Sequence, residues 1–225
     1  MGLEQRFGDS YAEAIPLEFA PADARTAAGA ESGLKRLLDV TFAALLLILL
    51  SPVLLLAAVL IKLDSKGPVL FRQTRLGLHG KPFAILKFRS MHVLENGSTI
   101  VQARRDDPRI TRIGRALRKT SIDELPQLIN VLKGEMSLVG PRPHARAHDE
   151  YYGARIAGYT LRQQVKPGIT GWAQVRGFRG ETPTLESMRK RIECDHWYVR
   201  HASVALDLEI LARTALVILR PRNAH

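Results

Sequence analysis

The longest uninterrupted apolar segment of the chain runs from Val40 to Ile61 and reads VTFAALLLILLSPVLLLAAVLI. A helix rises 1.5 Å per residue, so about 20 such residues are enough to cross the hydrocarbon core of a bilayer. The segment starts too late and is too long for a secretory signal peptide, and no small-residue cleavage site precedes Lys62. The pattern therefore predicts a membrane-embedded helical segment.

Two features of this segment favour a re-entrant hairpin. Ser51 and Pro52 interrupt it near its middle, where proline removes a backbone hydrogen bond and bends the helix, and the serine hydroxyl can bond a freed carbonyl. Basic residues also flank both ends, and such residues prefer the cytoplasmic side. These flanking residues are Lys35, Arg36, Lys62, Lys66, Arg72 and Arg75. A helix–break–helix hairpin that enters one leaflet and returns satisfies both flanks, while a single span and a buried helix of a soluble protein are the alternatives.

Alternating patterns after this segment predict a β-hairpin. Residues 69–75 and 83–91 have strand character, and residues 79–82 form the turn between them. In the second strand Ala84, Leu86 and Phe88 share one face, while Lys87 and Arg89 project from the other. These two cations belong either to a site or to a solvated strand face.

Helical patterns dominate from residue 113 onward. An apolar stripe with the spacing of a helix is formed by Leu125, Leu128, Ile129 and Leu132. Gly134 is the expected end of that helix. Residues 204–219 predict a last helix, which lies in the membrane interface or covers the core.

The remaining segments are predicted to lack regular structure. Residues 1–33 predict a weakly ordered leader, and residues 95–112 a polar loop. Residues 139–143 and 166–172 are rich in Pro and Gly and predict rigid loops. In the first of them Arg142 stands between two prolines, which hold it extended.

The charge balance points to an anionic partner. The chain has 225 residues, of which 33 are Lys or Arg and 22 are Asp or Glu, for a formal charge of +11. Such a surplus favours nucleic acid, anionic lipid or a phosphorylated substrate. The single cysteine, Cys194, excludes an intramolecular disulfide framework and fits a reducing cytosol.

The most informative short segment is RKTSIDELPQ at residues 118–127, where two adjacent carboxylates follow two cations. One interpretation is structural, because Ser121 and Glu124 have the spacing of a capping box. The other starts the helix at Asp123, which puts Pro126 in the first turn and the Asp123 carboxylate among backbone donors that favour its ionised form. Phosphate also binds at helix N-termini, and Arg118 and Arg142 could grip its oxygens bidentately. An ionised carboxylate in that setting suits nucleophilic attack on a phosphoanhydride.

Five segments together resemble one family. They are KRLLD at 35–39, the hairpin break at Ser51 and Pro52, LKFRSM at 86–91, RKTSIDELPQLINVLKGEMSLVGPRP at 118–143 and KPGITGWAQVRG at 166–177. The chain resembles the bacterial sugar transferases, the monotopic phosphoglycosyl transferases, from about residue 32 to about residue 220. The RGFRGET segment at 176–182 and the residues after it are similar to the branch that starts exopolysaccharides, the undecaprenyl-phosphate glucose phosphotransferases.

The resemblance implies a two-step transfer. Asp123 would attack the β-phosphate of a UDP-sugar, most often UDP-glucose in that branch, expel UMP and carry a phosphosugar. Undecaprenyl phosphate would then accept the phosphosugar. Glu124 would assist with Mg²⁺ or with the lipid phosphate, so Asp123 and Glu124 are also the implied metal ligands. Arg118, Arg142 and Lys87 would hold phosphates.

These inferences define an expected architecture. The fold is α+β and mainly helical: a re-entrant membrane hairpin at residues 34–66, and a cytoplasmic catalytic domain at residues 67–220 with a short β-hairpin and interfacial amphipathic helices. The expected location is the bacterial inner membrane, with the catalytic domain on its cytoplasmic face. Expected partners are a UDP-sugar, undecaprenyl phosphate and anionic membrane lipid, with a homo-oligomer left open.

Two further functions compete with the transferase. A membrane-tethered basic protein could bind nucleic acid, but the basic residues lack aromatic interleaving and match no nucleic-acid-binding motif, so no nucleic-acid partner is expected. An inactive scaffold for polysaccharide assembly is the other alternative, and the intact pair of Asp123 and Glu124 argues against it.

Overall fold

The computed structural model describes residues 32–92, 107–178, 180 and 182–219. This part of the chain is mainly helical and carries two small two-stranded sheets, which confirms the α+β class. Residues 1–31 of the predicted leader and residues 93–106 of the predicted loop lie outside the described residues.

The apolar segment folds into two helices, α1 (Gly33–Leu49) and α2 (Ser51–Asp64). They meet at Leu50 with a bend of 62°. Pro52 stands in the first turn of α2, where its missing N–H costs nothing, and the Ser51 hydroxyl donates to the Ile48 carbonyl at 2.8 Å. Among the described residues no single helix has both the length and the apolarity for a membrane crossing, whereas the bent pair taken together has both.

The predicted β-hairpin is confirmed. Strands β1 (Leu70–Leu76) and β2 (Pro82–Phe88) pair antiparallel around a short 3₁₀ turn at Leu78–Gly80. A solvated face for Lys87 and Arg89 is wrong, because the C-terminal half of β2 is covered on both sides. Arg89 is 2% exposed and donates to the carbonyls of Lys66 and Ser65, so it ties β2 to the end of α2.

The chain then forms α3 (Arg112–Thr120), a 3₁₀ turn at Ile122–Glu124, and α4 (Gln127–Lys133). The buried face of α4 carries Leu128 and Val131 together with the polar Asn130, which is fully buried. Asn130 accepts from the Leu86 N–H at 3.0 Å and donates to the Ala84 carbonyl at 2.8 Å. The Asn130 side chain makes the two hydrogen bonds that a neighbouring strand would make with β2, and it holds α4 against β2. Gly134 ends α4 in a left-handed conformation, φ 82°, as predicted.

The two predicted rigid loops lie side by side, because each begins with or contains a short strand. Strands β3 (Ser137–Val139) and β4 (Gly168–Thr170) pair in parallel. Gly140 comes so close to the other loop that a Cβ there would lie 2.3 Å from the Lys166 carbonyl oxygen. The absence of a side chain at Gly140 therefore permits the contact that holds the following Arg142 segment in place.

The remaining helices pack around this centre. They are α5 (Arg146–Gly153), a 3₁₀ segment at Tyr159–Gln164, α6 (Trp172–Val175), α7 (Leu185–His201) and α8 (Val204–Leu219). The predicted last helix is thus confirmed. Its Leu206 and Ile210 belong to the main core with Leu128 and Val131 of α4, while Leu208 and Leu216 are exposed.

Candidate active site

Asp123 and Glu124 lie on the 3₁₀ turn between α3 and α4. Ser121 ends α3 in a left-handed conformation, φ 61°, and the turn begins after it. Both predicted helix starts are therefore wrong: α4 begins at Gln127, with Pro126 immediately before it. Proline fits there because it needs no N–H partner at a helix start. The two carboxylates precede the helix instead of lying in its first turn.

Glu124 is held by two cations. Its carboxylate accepts from Lys87 Nζ at 3.0 Å, and Arg142 binds both of its oxygens, with Nη1 at 3.0 Å from Oε2. Burial alone would raise the pKa of Glu124, but Arg142 and Lys87 outweigh it and hold the pKa well below its ordinary value. Glu124 is therefore ionised, and it does not make the capping-box bond that its spacing with Ser121 predicts.

Asp123 has a different environment. It is 7% exposed, and burial together with the neighbouring charge of Glu124 raises its pKa to about 6. Lys87, Arg118 and Arg142 act in the opposite direction. The net shift is upward, so the surroundings disfavour the ionised form that the sequence analysis expected them to favour. The neighbouring cations, and not the N-terminus of a helix, limit this rise.

The structure brings the sequence-predicted cations to this pair. Lys87 comes from β2, Arg118 from the last turn of α3, and Arg142 from the loop after β3. Arg75 of β1 also belongs here, although its sequence position indicated only a flank of the apolar segment. Burial and the charge of Arg142 lower the pKa of Arg75 to about 10, and its Nε has no hydrogen-bond partner among the described residues.

The cluster carries more positive than negative charge. Four basic side chains interact electrostatically with the two carboxylates: Lys87, Arg118, Arg142 and Arg75. Arg75 also interacts with Asp149, so four cations stand against three carboxylates. Partly buried cations in surplus are costly unless an anion neutralises them. The site is therefore suited to an anionic ligand such as a diphosphate.

A buried network of side chains holds the backbone of Arg142 in place. Arg162 donates to the Arg142 backbone carbonyl and forms an ion pair with Asp195 at 2.9 Å, and both side chains are almost fully buried. The same guanidinium lies 2.7 Å from His144 Nδ1. Arg162 and Asp195 come from distant helical segments, so no local pattern identifies them as part of the site. Arg142 is thus fixed by its two prolines and by a buried ion pair.

The donor set for Mg²⁺ is small. Among the residues that the structure describes, no group of three or more His, Cys, Asp or Glu side chains could hold a metal ion. Glu124 is engaged by Lys87 and Arg142, which leaves Asp123 as the carboxylate next to it. Mg²⁺ commonly binds through one or two carboxylates together with substrate phosphates and water. The residues present fit such a site only when the substrate supplies the other ligands.

A carboxylate pair set among partly buried cations is the arrangement expected in an enzyme that handles phosphorylated substrates. The family model described as bacterial sugar transferase matches residues 30–221, and the chain belongs to this family. The resemblance seen in the sequence is therefore confirmed.

Several named proteins are similar to this chain. A UDP-glucose:undecaprenyl-phosphate glucose-1-phosphate transferase of Caulobacter vibrioides is 60% identical over 191 residues, which cover 85% of this chain and 72% of that protein. A protein of Escherichia coli K12 with the same name is 58% identical over 181 residues, 80% of this chain and 39% of the relative. A UDP-N-acetylgalactosamine-undecaprenyl-phosphate N-acetylgalactosaminephosphotransferase of Aeromonas hydrophila is 44% identical over 188 residues. These residues cover 83% of this chain and 44% of that protein. The chain therefore spans most of the first relative and less than half of the other two.

Proposed function

We propose that this chain transfers glucose-1-phosphate from UDP-glucose to undecaprenyl phosphate and releases UMP. The observation that carries the proposal is the pair of Asp123 and Glu124, in which one carboxylate is neutralised by Lys87 and Arg142 and the other is not. The names of the more similar relatives supply the donor and the acceptor. Such a transfer is the first membrane step in building an exopolysaccharide or another glycoconjugate.

The first step is attack by the Asp123 carboxylate on the β-phosphorus of UDP-glucose. A bond forms between an Asp123 oxygen and that phosphorus, and the bond from the phosphorus to the bridging oxygen breaks, so UMP leaves with the electron pair. Arg118, Arg142, Lys87 and Arg75 supply the charge that stabilises the diphosphate and the departing UMP. Burial favours attack because the nucleophile is partly stripped of water.

The second step is attack by an oxygen of undecaprenyl phosphate on the same phosphorus. The acyl phosphate bond to Asp123 breaks, the carboxylate returns to its ionised form, and the product is a lipid-linked diphosphosugar. Glu124 positions Lys87 and Arg142 for both steps, because it binds the two cations at once. Mg²⁺, held by Asp123 together with substrate phosphates, would offset negative charge on the diphosphate.

We also propose that α1 and α2 form a re-entrant hairpin in the cytoplasmic leaflet of the bacterial inner membrane, with residues 67–220 as the cytoplasmic catalytic domain. The bend of 62° and the exposed apolar side chains support it. These side chains are Leu45, Ile48, Leu49, Leu55, Leu56 and Val59, each more than half exposed. Basic residues at both ends would lie near anionic lipid headgroups.

The decisive experiment is a UMP-release assay with purified protein, undecaprenyl phosphate and a panel of UDP-sugars. UDP-glucose should give the highest kcat/KM, and the lipid product should contain glucose and two phosphates. A preference for UDP-N-acetylgalactosamine would correct the sugar but keep the reaction. Absence of UMP release with every donor would refute the proposed function.

A further inference from the structure

A small cavity with both polar and apolar residues in its wall lies next to Arg142, on the side of its loop that faces α5 and the Tyr159–Gln164 segment. Its lining includes His144, Asp149 and Arg162 as well as Arg142 itself. Its free space is roughly that of one water molecule. A cavity of this size admits one small polar group and not a whole ring.

Two side chains of this cavity are buried and incompletely bonded. His144 is 6% exposed and Asp149 is 8% exposed. His144 Nε2 and Asp149 Oδ2 have no hydrogen-bond partner among the residues that the structure describes. A buried polar atom without a partner destabilises the protein, so a ligand that supplies both partners gains from the arrangement.

The other atom of each side chain is fixed. Arg162 Nη1, which can only donate, lies 2.7 Å from His144 Nδ1, so Nδ1 accepts and the ring proton is on Nε2. Burial and the neighbouring cations hold the pKa of His144 well below its ordinary value, which keeps the ring neutral. Tyr159 donates to Asp149 Oδ1 at 2.8 Å, which leaves Oδ2 as an acceptor. The two residues therefore keep one donor, Nε2–H, and one acceptor, Oδ2, without partners at the cavity wall.

We propose that His144 and Asp149 form a hydroxyl-binding subsite for the nucleotide-sugar donor, in which Nε2–H donates to the hydroxyl oxygen and Oδ2 accepts the hydroxyl proton. A hydroxyl is the group that donates and accepts at once and fits the space of one water molecule. Arg142 lines this cavity and belongs to the proposed diphosphate site, so the cavity borders that site. The inference rests on the proposed function and adds specificity-determining residues to it.

Both rings of UDP-glucose carry hydroxyls, and the experiment separates them. Dissociation constants are measured by calorimetry with Asp123→Asn as the parent protein, which cannot turn over the donor. The ligands are UDP-glucose, its four monodeoxyglucose analogues and UDP-glucose with 2′- or 3′-deoxyuridine. In the parent, loss of the recognised hydroxyl should raise Kd about 10- to 100-fold.

Two further substitutions test whether that loss acts through the cavity. His144→Asn keeps an acceptor for Arg162 in place of Nδ1 but removes the Nε2 donor, and Asp149→Asn keeps Oδ1 but replaces the acceptor Oδ2 with a donor. In either variant the same deoxy analogue should bind within about threefold of UDP-glucose, because the partner atom is already lost. Arg146→Gln, on the exposed face of the same helix as Asp149, is the control and should keep the full penalty.

If the penalty for losing one glucose or one ribose hydroxyl disappears in the His144 and Asp149 variants, the subsite is supported and the ring that it recognises is identified. Deoxy penalties that are identical in the parent and both variants would overturn it, and so would failure of every donor to bind. UMP release by the wild-type protein is measured separately, so a failed transferase activity and a failed subsite give different results.

Discussion

Adjacent carboxylates of similar intrinsic acidity acquire opposite properties here because only one of them is paired. Glu124 binds Lys87 and Arg142 directly, and its pKa falls, whereas Asp123 experiences burial and the charge of Glu124, and its pKa rises to about 6. Environments that move two pKa values apart divide the roles of a carboxylate pair. The proposed function therefore gives the nucleophilic attack to Asp123. Glu124 has the role of positioning the neighbouring cations.

The assignment of Asp123 predicts a covalent intermediate. Protein incubated with UDP-glucose and Mg²⁺ without lipid acceptor should release up to one UMP per site, and mass spectrometry should find a hexose phosphate on the peptide that contains Asp123. Asp123→Asn should abolish both signals, because an amide is a poor nucleophile. Glu150→Gln, an exposed carboxylate on α5, is the control and should behave like the wild type. UMP release that strictly requires the lipid acceptor would indicate direct transfer instead.

The raised pKa of Asp123 predicts a pH dependence for this first step. Protonation removes the nucleophile, so the second-order rate constant of the single-turnover UMP burst without acceptor should fall as the pH drops below about 6 and level off above about 7. Glu124 should not add a second limb in this range, since its pKa is well below its ordinary value. Omitting the lipid removes the titration of the acceptor phosphate from the profile. A rate that is flat from pH 5 to 8 would contradict the role of Asp123.

The geometry of Arg142 predicts that charge alone is insufficient. Arg142 binds both oxygens of Glu124, and the planar fork is lost in Arg142→Lys while the positive charge is kept. We expect kcat/KM for UMP release to fall about 100-fold or more, as when one preorganised donor to a developing charge is removed. The matched change Arg146→Lys, at an exposed ion pair on α5, should leave it unchanged. Normal kinetics in Arg142→Lys would exclude Arg142 from the site.

At the scale of elements, the 3₁₀ turn at Ile122–Glu124 is held in place by a side chain outside the turn. Asn130 of α4 bonds to the backbone of β2 on either side of Ile85, two residues before Lys87. This fixes the distance between the turn that carries Glu124 and the strand that carries its partner. Helix α4 thus acts as the link between the sheet and the acidic pair.

Replacing that link predicts a loss of stability. Asn130→Leu keeps the number and branching of the side-chain heavy atoms but leaves the Leu86 N–H and the Ala84 carbonyl buried without partners, at a cost of about 1–3 kcal/mol for each group. The melting temperature measured in detergent should therefore fall by several degrees. Thr120→Ala, at an exposed position near the end of α3, should change it by less than about 2 °C. An unchanged melting temperature in Asn130→Leu would show that α4 is not fixed in this way.

Local pattern was sufficient for some elements and not for others. The β-hairpin, the break at Ser51 and Pro52, and the end of α4 at Gly134 depend on period, proline and glycine, and these were predicted correctly. The start of α4 was wrong because 3₁₀ and α turns have nearly the same sequence preferences, so the pattern could not separate them. The burial of Arg89 and the partners of Arg162 were missed because they depend on contacts between distant segments.

At the scale of the whole molecule, both ends of the α1–α2 pair contact the same body. Near the start of α1, Lys35 forms a buried ion pair with Asp207 of α8 at 2.5 Å, and Asp39 accepts from the Leu138 N–H at 2.9 Å. At the end of α2, Asp64 accepts from the Ile113 N–H at 3.1 Å. Contacts at the two ends with one folded domain support the proposed hairpin over a segment whose ends lie on opposite sides of a bilayer.

These contacts predict the topology in cells. Single cysteines at Gly33 and at Lys66, introduced in a Cys194→Ser background, should both be shielded from an impermeant thiol reagent in intact cells and both react after permeabilisation. Each arm is also too short to cross alone, since 17 and 14 residues rise about 25 and 21 Å against a core of about 30 Å. Pro52→Ala supplies the N–H that a continuous helix needs at this position and should favour a straight helix, which would expose the Gly33 site to the reagent in part of the molecules. The ion pair of Lys35 with Asp207 opposes that change, so Pro52→Ala combined with Lys35→Gln should expose a larger fraction than Pro52→Ala alone. Labelling of the Gly33 site alone in the protein with Pro52 intact would instead establish a single span.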